Sequence, residues 1–114
     1  MQKILVLWYY VGMSNDLKEI KEKISANKDY LRATYGVEEI GIFGSYIRNE
    51  DTFLSDVDIL YEVDKKKDDT LSLFDLVDMK DYLENILGRT VDIVDKSNIK
   101  QSLRSQILKE VVMI

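Results

Sequence analysis

At 114 residues, with 46% hydrophobic and 32% charged side chains, the chain can form one domain with a modest core, and its composition is not that of a disordered protein. It contains no cysteine and no histidine, which excludes disulfides, thiolate nucleophiles, zinc sites built on those ligands and every Ser-His-Asp arrangement. Any catalysis must rest on carboxylates, hydroxyls, cations or an oxygen-bound metal, and the net charge of −5 argues against direct nucleic-acid binding while suiting a basic protein partner.

The chain opens with eight consecutive apolar or aromatic residues, Ile4 to Val11. The run is far too short to span a membrane. No small-residue cleavage site follows it, so the sequence predicts a cytoplasmic protein with no membrane association. Everything from Met13 onward reads as a complete domain. Residues 1–12 are therefore expected to be a hydrophobic extension ahead of a domain at 13–114.

From Ser14 to Gly36 the spacing of Leu17, Ile20, Ile24 and Leu31 predicts one amphipathic helix, with Asp16 and Glu19 resembling a capping box and Gly36 as its stop. A strand is predicted over 37–44, a helical turn or loop over 45–50 and a second strand over 55–63. The charged run 64–69 reads as a solvated loop. A longer helix is expected from Thr70 to Leu87, burying Leu73, Leu76, Val77, Leu83, Ile86 and Leu87 and ending at Gly88. A third strand follows at 90–95, then a helix from about Ile99 with Leu103, Ile107 and Val111 along one face. This order predicts an α/β (α+β) fold, a small mixed sheet with helices packed on it.

Within the second strand, Val57, Ile59 and Tyr61 fill one face, so Asp56 and Asp58 share the other. A third carboxylate, Asp92, lies inside the apolar third strand. If these strands are neighbours, three like charges converge, and each raises the cost of ionising the others. Magnesium would relieve that conflict, because Mg²⁺ prefers carboxylate oxygen and bridges it to substrate phosphates. Two such ions can stabilise both the attacking and the leaving oxygen of an in-line phosphoryl displacement. Gly44 permits a sharp turn and close backbone approach, Ser45 offers a hydroxyl and an N–H, and Arg48 can neutralise phosphate charge. Taken singly these signals are weak: an isolated Asp-x-Asp is usually a solvated edge or turn, and Asp92 could be paired with Arg89 or Lys96.

Together they are specific. Gly44-Ser45, ten intervening residues and Asp56-x-Asp58 resemble the signature of the polymerase-β-like nucleotidyltransferase superfamily. "IGIFGSYIRNE", "SDVDILYEV", "LSLFDLVDMKDYLENILGRTVDIV" and "LRSQILKEVV" resemble successive segments of its minimal nucleotidyltransferase (MNT) branch, over about residues 14–112. Where members often carry Ala-Arg-Gly, this chain has Ile47-Arg48-Asn49.

The resemblance implies a polymerase-β-like palm with Gly44 and Ser45 as the phosphate-binding pair and Arg48 beside them. Asp56, Asp58 and Asp92 would be the catalytic, metal-binding carboxylates, holding two Mg²⁺ ions with ATP as co-substrate. It further implies an antitoxin that transfers AMP to a tyrosine of a cognate HEPN-domain ribonuclease toxin. The alternatives are an antitoxin acting by binding alone, and a nucleotidyltransferase acting on a small hydroxylated molecule.

Overall fold

The computed structural model describes residues 16–52 and 54–114. The proposed extension, residues 1–12, lies outside them. Helix α1 (16–26) and helix α2 (Lys28–Tyr35) replace the single expected helix. The break is at Asn27, whose side-chain Nδ2 donates to the Lys23 carbonyl at 2.7 Å and whose side-chain Oδ1 accepts from the Tyr82 hydroxyl. An asparagine side chain competes with the backbone in this way, and here it closes one helix and opens the next. Asp16 and Glu19, expected to form a capping box, make ion pairs with Arg89 and with Lys23 respectively. Gly36 ends α2 with φ 75°, as its sequence position suggested.

Strand β1 (Val37–Phe43) runs into a short helix α3 (Ser45–Arg48), and strand β2 (Val57–Val63) returns antiparallel to β1. The predicted loop at 64–69 instead contains a helical turn, α4 (Lys65–Asp68). Asp64 nucleates it by accepting the Lys66 N–H at 3.2 Å. Helix α5 (Leu73–Leu87) begins at a Ser72–Asp75 capping box rather than at Thr70, and Gly88 closes it with φ 64°. As the crossover, α5 delivers strand β3 (Val91–Asp95) parallel to β2. A 3₁₀ turn (Lys96–Asn98) leads to helix α6 (Gln101–Glu110) and to a strand the sequence analysis did not anticipate, β4 (Val112–Met113), which pairs with β1. The sheet order is β3-β2-β1-β4, a mixed sheet as expected.

Helices α1, α2 and α5 cover one face of this sheet. Ile20, Ile24, Leu31, Met79 and Leu83 meet Ile42, Val57, Ile59 and Val91 there, each almost wholly buried. Burial stabilises each such side chain by about 1.5–3 kcal/mol relative to exposure. Two expectations about packing are corrected. On α5 the buried side chains are Met79, Leu83 and Leu87, with Leu76 and Ile86 half-buried beside them, whereas Leu73, the first residue of the helix, and Val77, which points away from that stripe, are exposed. On α6 nothing is fully buried: Leu103 is exposed and Ile107 half-buried, since this helix forms a wall of a cleft and not a layer of the core.

Candidate active site

Where β1 ends, the chain must turn at once into α3 while β2 carries a carboxylate alongside. Gly44 makes this possible. Its backbone sits at φ 81°, ψ −151°, a region only glycine occupies without strain. A Cβ at this position would stand 2.0 Å from Oδ2 of Asp58. The glycine therefore serves two needs, the turn itself and the approach of a carboxylate to the backbone. At the other end of α3, Asn49 adopts φ 60° and is the one non-glycine residue with positive φ among the described residues. Asparagine tolerates that region better than most residues. It thus ends α3 in the left-handed region without a glycine, and the turn closes with the Glu50 N–H donating to the Ser45 carbonyl at 2.9 Å.

Asp58 and Asp92 are register partners on the adjacent parallel strands β2 and β3, so two of the three carboxylates expected to converge stand side by side. Asp58 is half-buried and Asp92 exposed. Burial holds the Asp58 carboxyl above its ordinary range, and the nearby charges of Asp92 and Asp56 push it the same way. Neither cation suggested as a partner for Asp92 is available to it. Arg89 pairs with Asp16 at 2.9 Å and lies against the Tyr46 ring, while Lys96 is held by Glu39 and Glu62. Asp56, just ahead of β2, is exposed and accepts a hydrogen bond from the Thr90 hydroxyl. Among the described residues, no group of three or more acidic side chains is arranged to hold a single ion.

Arg48 stands one turn beyond Ser45, as anticipated, but it is not free. Its Nε donates to Glu50 at 3.1 Å, and its Nη1 donates to both carboxylate oxygens of Glu110 at 3.0 Å. The same Oε1 of Glu110 accepts the Gly44 N–H at 2.9 Å. These contacts, Glu110 first, hold the guanidinium pKa above its usual value. Glu110 was missed in the sequence, being a single acidic residue at the end of a helix. One signal was available: the apolar run Val111–Ile114 after it suits a strand. Once Val112 pairs with Ile42, the antiparallel register continued two residues back sets Glu110 opposite Gly44.

Beside these groups opens a cleft of about 480 Å³, floored by the sheet end at Phe43, Asp58, Asp92 and Val94 and walled by Leu103, Gln106, Ile107 and Glu110 of α6. Gly44 and Arg48 also line it, whereas Ser45, at the first position of α3, and Asp56 do not. A glycine turn packed on a strand-borne carboxylate, with a second carboxylate in register and an open cleft alongside, is the plan of a nucleotidyl-transferring palm.

Known proteins agree with that plan. Residues 17–114 match the model of the nucleotidyltransferase domain. The chain is 42% identical to the protein adenylyltransferase MntA of Thermococcus cleftensis over 98 residues, covering 86% of this chain and 95% of the relative. A minimal nucleotidyltransferase of known structure superposes with a TM-score of 0.65 at 29% identity, covering 88% of this chain and 93% of that one. A toxin–antitoxin complex solved with AMP-PNP contains a chain that matches with a TM-score of 0.64 at 25% identity, over 81% of this chain and 69% of that one. This protein belongs to the nucleotidyltransferase family, in its minimal branch, and is an enzyme of that class.

Proposed function

We propose that this protein is an MNT-type antitoxin that transfers AMP from ATP to a tyrosine of a cognate HEPN ribonuclease toxin and thereby silences it. The observation that carries the proposal is the register of Asp58 with Asp92 beside the Gly44 turn, at the mouth of an open cleft. The 42% identical relative is a protein adenylyltransferase, which supports a protein as acceptor. A matching chain occurs in a toxin–antitoxin complex with an ATP analogue, which supports a toxin as partner and ATP as donor.

The acidic donor set fits a divalent cation. Asp58 and Asp92 stand side by side, no basic side chain among the described residues forms an ion pair with either, and the nearby Arg48 is already committed to Glu50 and Glu110. Asp56, Asp58 and Asp92 would share two Mg²⁺ ions between them rather than close around one, and these would supply charge neutralisation at the α-phosphate and lower the pKa of an acceptor hydroxyl. The chain's own groups divide the rest of the work. Gly44, with its backbone N–H, and Ser45, with its N–H and hydroxyl, receive the outer phosphates. Arg48 neutralises the charge that grows on the leaving pyrophosphate. The acceptor oxygen forms a bond to the α-phosphorus as the bond to the bridging β-phosphate oxygen breaks. Asp92, exposed at the cleft, receives the acceptor's proton. The cleft is open, so a tyrosine on a flexible segment of another protein can enter it.

The test is transfer of label from ATP labelled at the α-phosphate, in the presence of Mg²⁺ and the purified cognate toxin. The wild type should label the toxin, and Asp56→Ala and Asp58→Ala should not. Labelling that persists in both variants would remove the proposed site.

A further inference from the structure

The donors that the proposed function reserves for phosphate are already taken by a carboxylate. Oε1 of Glu110 accepts the Gly44 N–H at 2.9 Å and an Arg48 Nη1 hydrogen at 3.0 Å, and Oε2 lies 3.0 Å from the same nitrogen. A carboxylate accepting from a backbone amide and a guanidinium presents the same chemistry as a phosphate oxygen. The Glu110 side chain is only 16% exposed, so its charge is held in the site rather than in solvent. Arg48 is doubly occupied, because Glu50 takes its Nε. An incoming phosphate would therefore meet donors in use and an additional negative charge near Asp58.

We infer that Glu110 is a built-in competitor for the anionic end of the nucleotide, and that its carboxylate must leave Gly44 and Arg48 before a phosphate can take them. The inference rests on the nucleotide reading of the cleft and adds a determinant of its affinity. The fold makes the exchange accessible. Glu110 is the last residue of α6, a helix with no fully buried side chain, whereas β4 beyond it is anchored by the Gly41–Met113 and Ile42–Val112 pairs and by the Ile114 N–H donating to the Ile40 carbonyl at 2.9 Å. The exchange therefore needs only the Glu110 side chain to turn away, with β4 left in place. Its departure would also free the end of the helix that walls the cleft, so nucleotide entry and the shape of that wall are linked. In the absence of nucleotide Glu110 keeps Arg48 ordered, which makes it a positioning residue for that arginine as well as its competitor.

The test compares ATP binding to the wild-type protein and to Glu110→Gln by calorimetry, with and without Mg²⁺. Glutamine keeps an oxygen that can accept the Gly44 N–H but loses the charge that holds Arg48. Binding should tighten about tenfold, as expected when a group occupying the site roughly nine-tenths of the time is removed. Unchanged or weaker binding in Glu110→Gln, with the wild type still binding ATP, overturns this inference and leaves the nucleotide site standing. A wild type that binds no ATP under either condition overturns both. A second measurement needs no variant. The carboxylate carbon resonance of Glu110, followed by NMR in the wild type, should move to that of a free glutamate as ATP saturates. A resonance that stays in place at saturation shows that the carboxylate never left.

Discussion

Replacing Asp58 with asparagine should stabilise the metal-free protein while abolishing its activity. The substitution keeps the shape of the side chain and removes one negative charge from a half-buried position facing Asp92. Neighbouring strands lie about 4.8 Å apart, so the two carboxylates repel across roughly 5 Å. Coulomb's law gives about 0.8 kcal/mol for that pair in water and about 3 kcal/mol at an effective dielectric constant of ~20. Asp58 is only partly withdrawn from solvent, which places the gain near the lower figure, about 1 kcal/mol. The sign follows from its raised pKa: folding binds the Asp58 proton more tightly, so the ionised group costs stability above that pKa, and the cost disappears as pH falls through it. For a domain of this size about 1 kcal/mol corresponds to a rise in Tm of roughly 3–5 °C. The assay is thermal unfolding at neutral pH in a chelating buffer, repeated with Mg²⁺ and ATP. The wild type should gain stability on adding them, and Asp58→Asn should start higher and gain little. A lower Tm for Asp58→Asn in chelator would refute the view that Asp58 is held charged against its neighbours for function.

Gly44→Ala should be severe, because its Cβ would stand 2.0 Å from Asp58 Oδ2 and φ there is 81°. A loss of about 2–4 kcal/mol, read as a fall in urea midpoint at unchanged slope, is expected together with loss of ATP binding. A chain beginning at Met13 should unfold at the same temperature as the full chain, since the nucleotidyltransferase match begins at residue 17. A fall of several degrees would make Ile4–Val11 part of the packed fold.

Much of this architecture was legible because local signals and burial agreed. The glycines at 36 and 88 stop their helices in the left-handed conformation the sequence suggested. The alternation of Val57, Ile59 and Tyr61 placed Asp58 on the opposite face, and the apolar setting of Asp92 pointed to a neighbouring strand. What escaped was decided by tertiary contacts. The break at Asn27 depends on a hydrogen bond from Tyr82, 55 positions away. With apolar residues at so many positions of α5, the sequence left open which of them face the core, and Leu73 and Val77 do not. Glu110 reaches Gly44 across 66 positions, and only the pairing of the short strand β4 brings the two together. Thr90 holds Asp56 in the same way, through a hydroxyl whose partner was fixed by the parallel register of β2 and β3.

Covalent transfer of AMP would raise the intact mass of the partner toxin by whole adenylyl units, and occlusion would leave it unchanged. The cognate HEPN ribonuclease is incubated with this protein, ATP and Mg²⁺, weighed whole, and assayed for RNA cleavage. Wild-type protein and the surface variant Lys66→Ala should both add whole adenylyl units and stop cleavage, while Asp58→Ala should add none and leave the ribonuclease active. If the wild type silences the ribonuclease while its mass stays unchanged, the protein acts by occlusion and the enzymatic account of its antitoxin action is wrong.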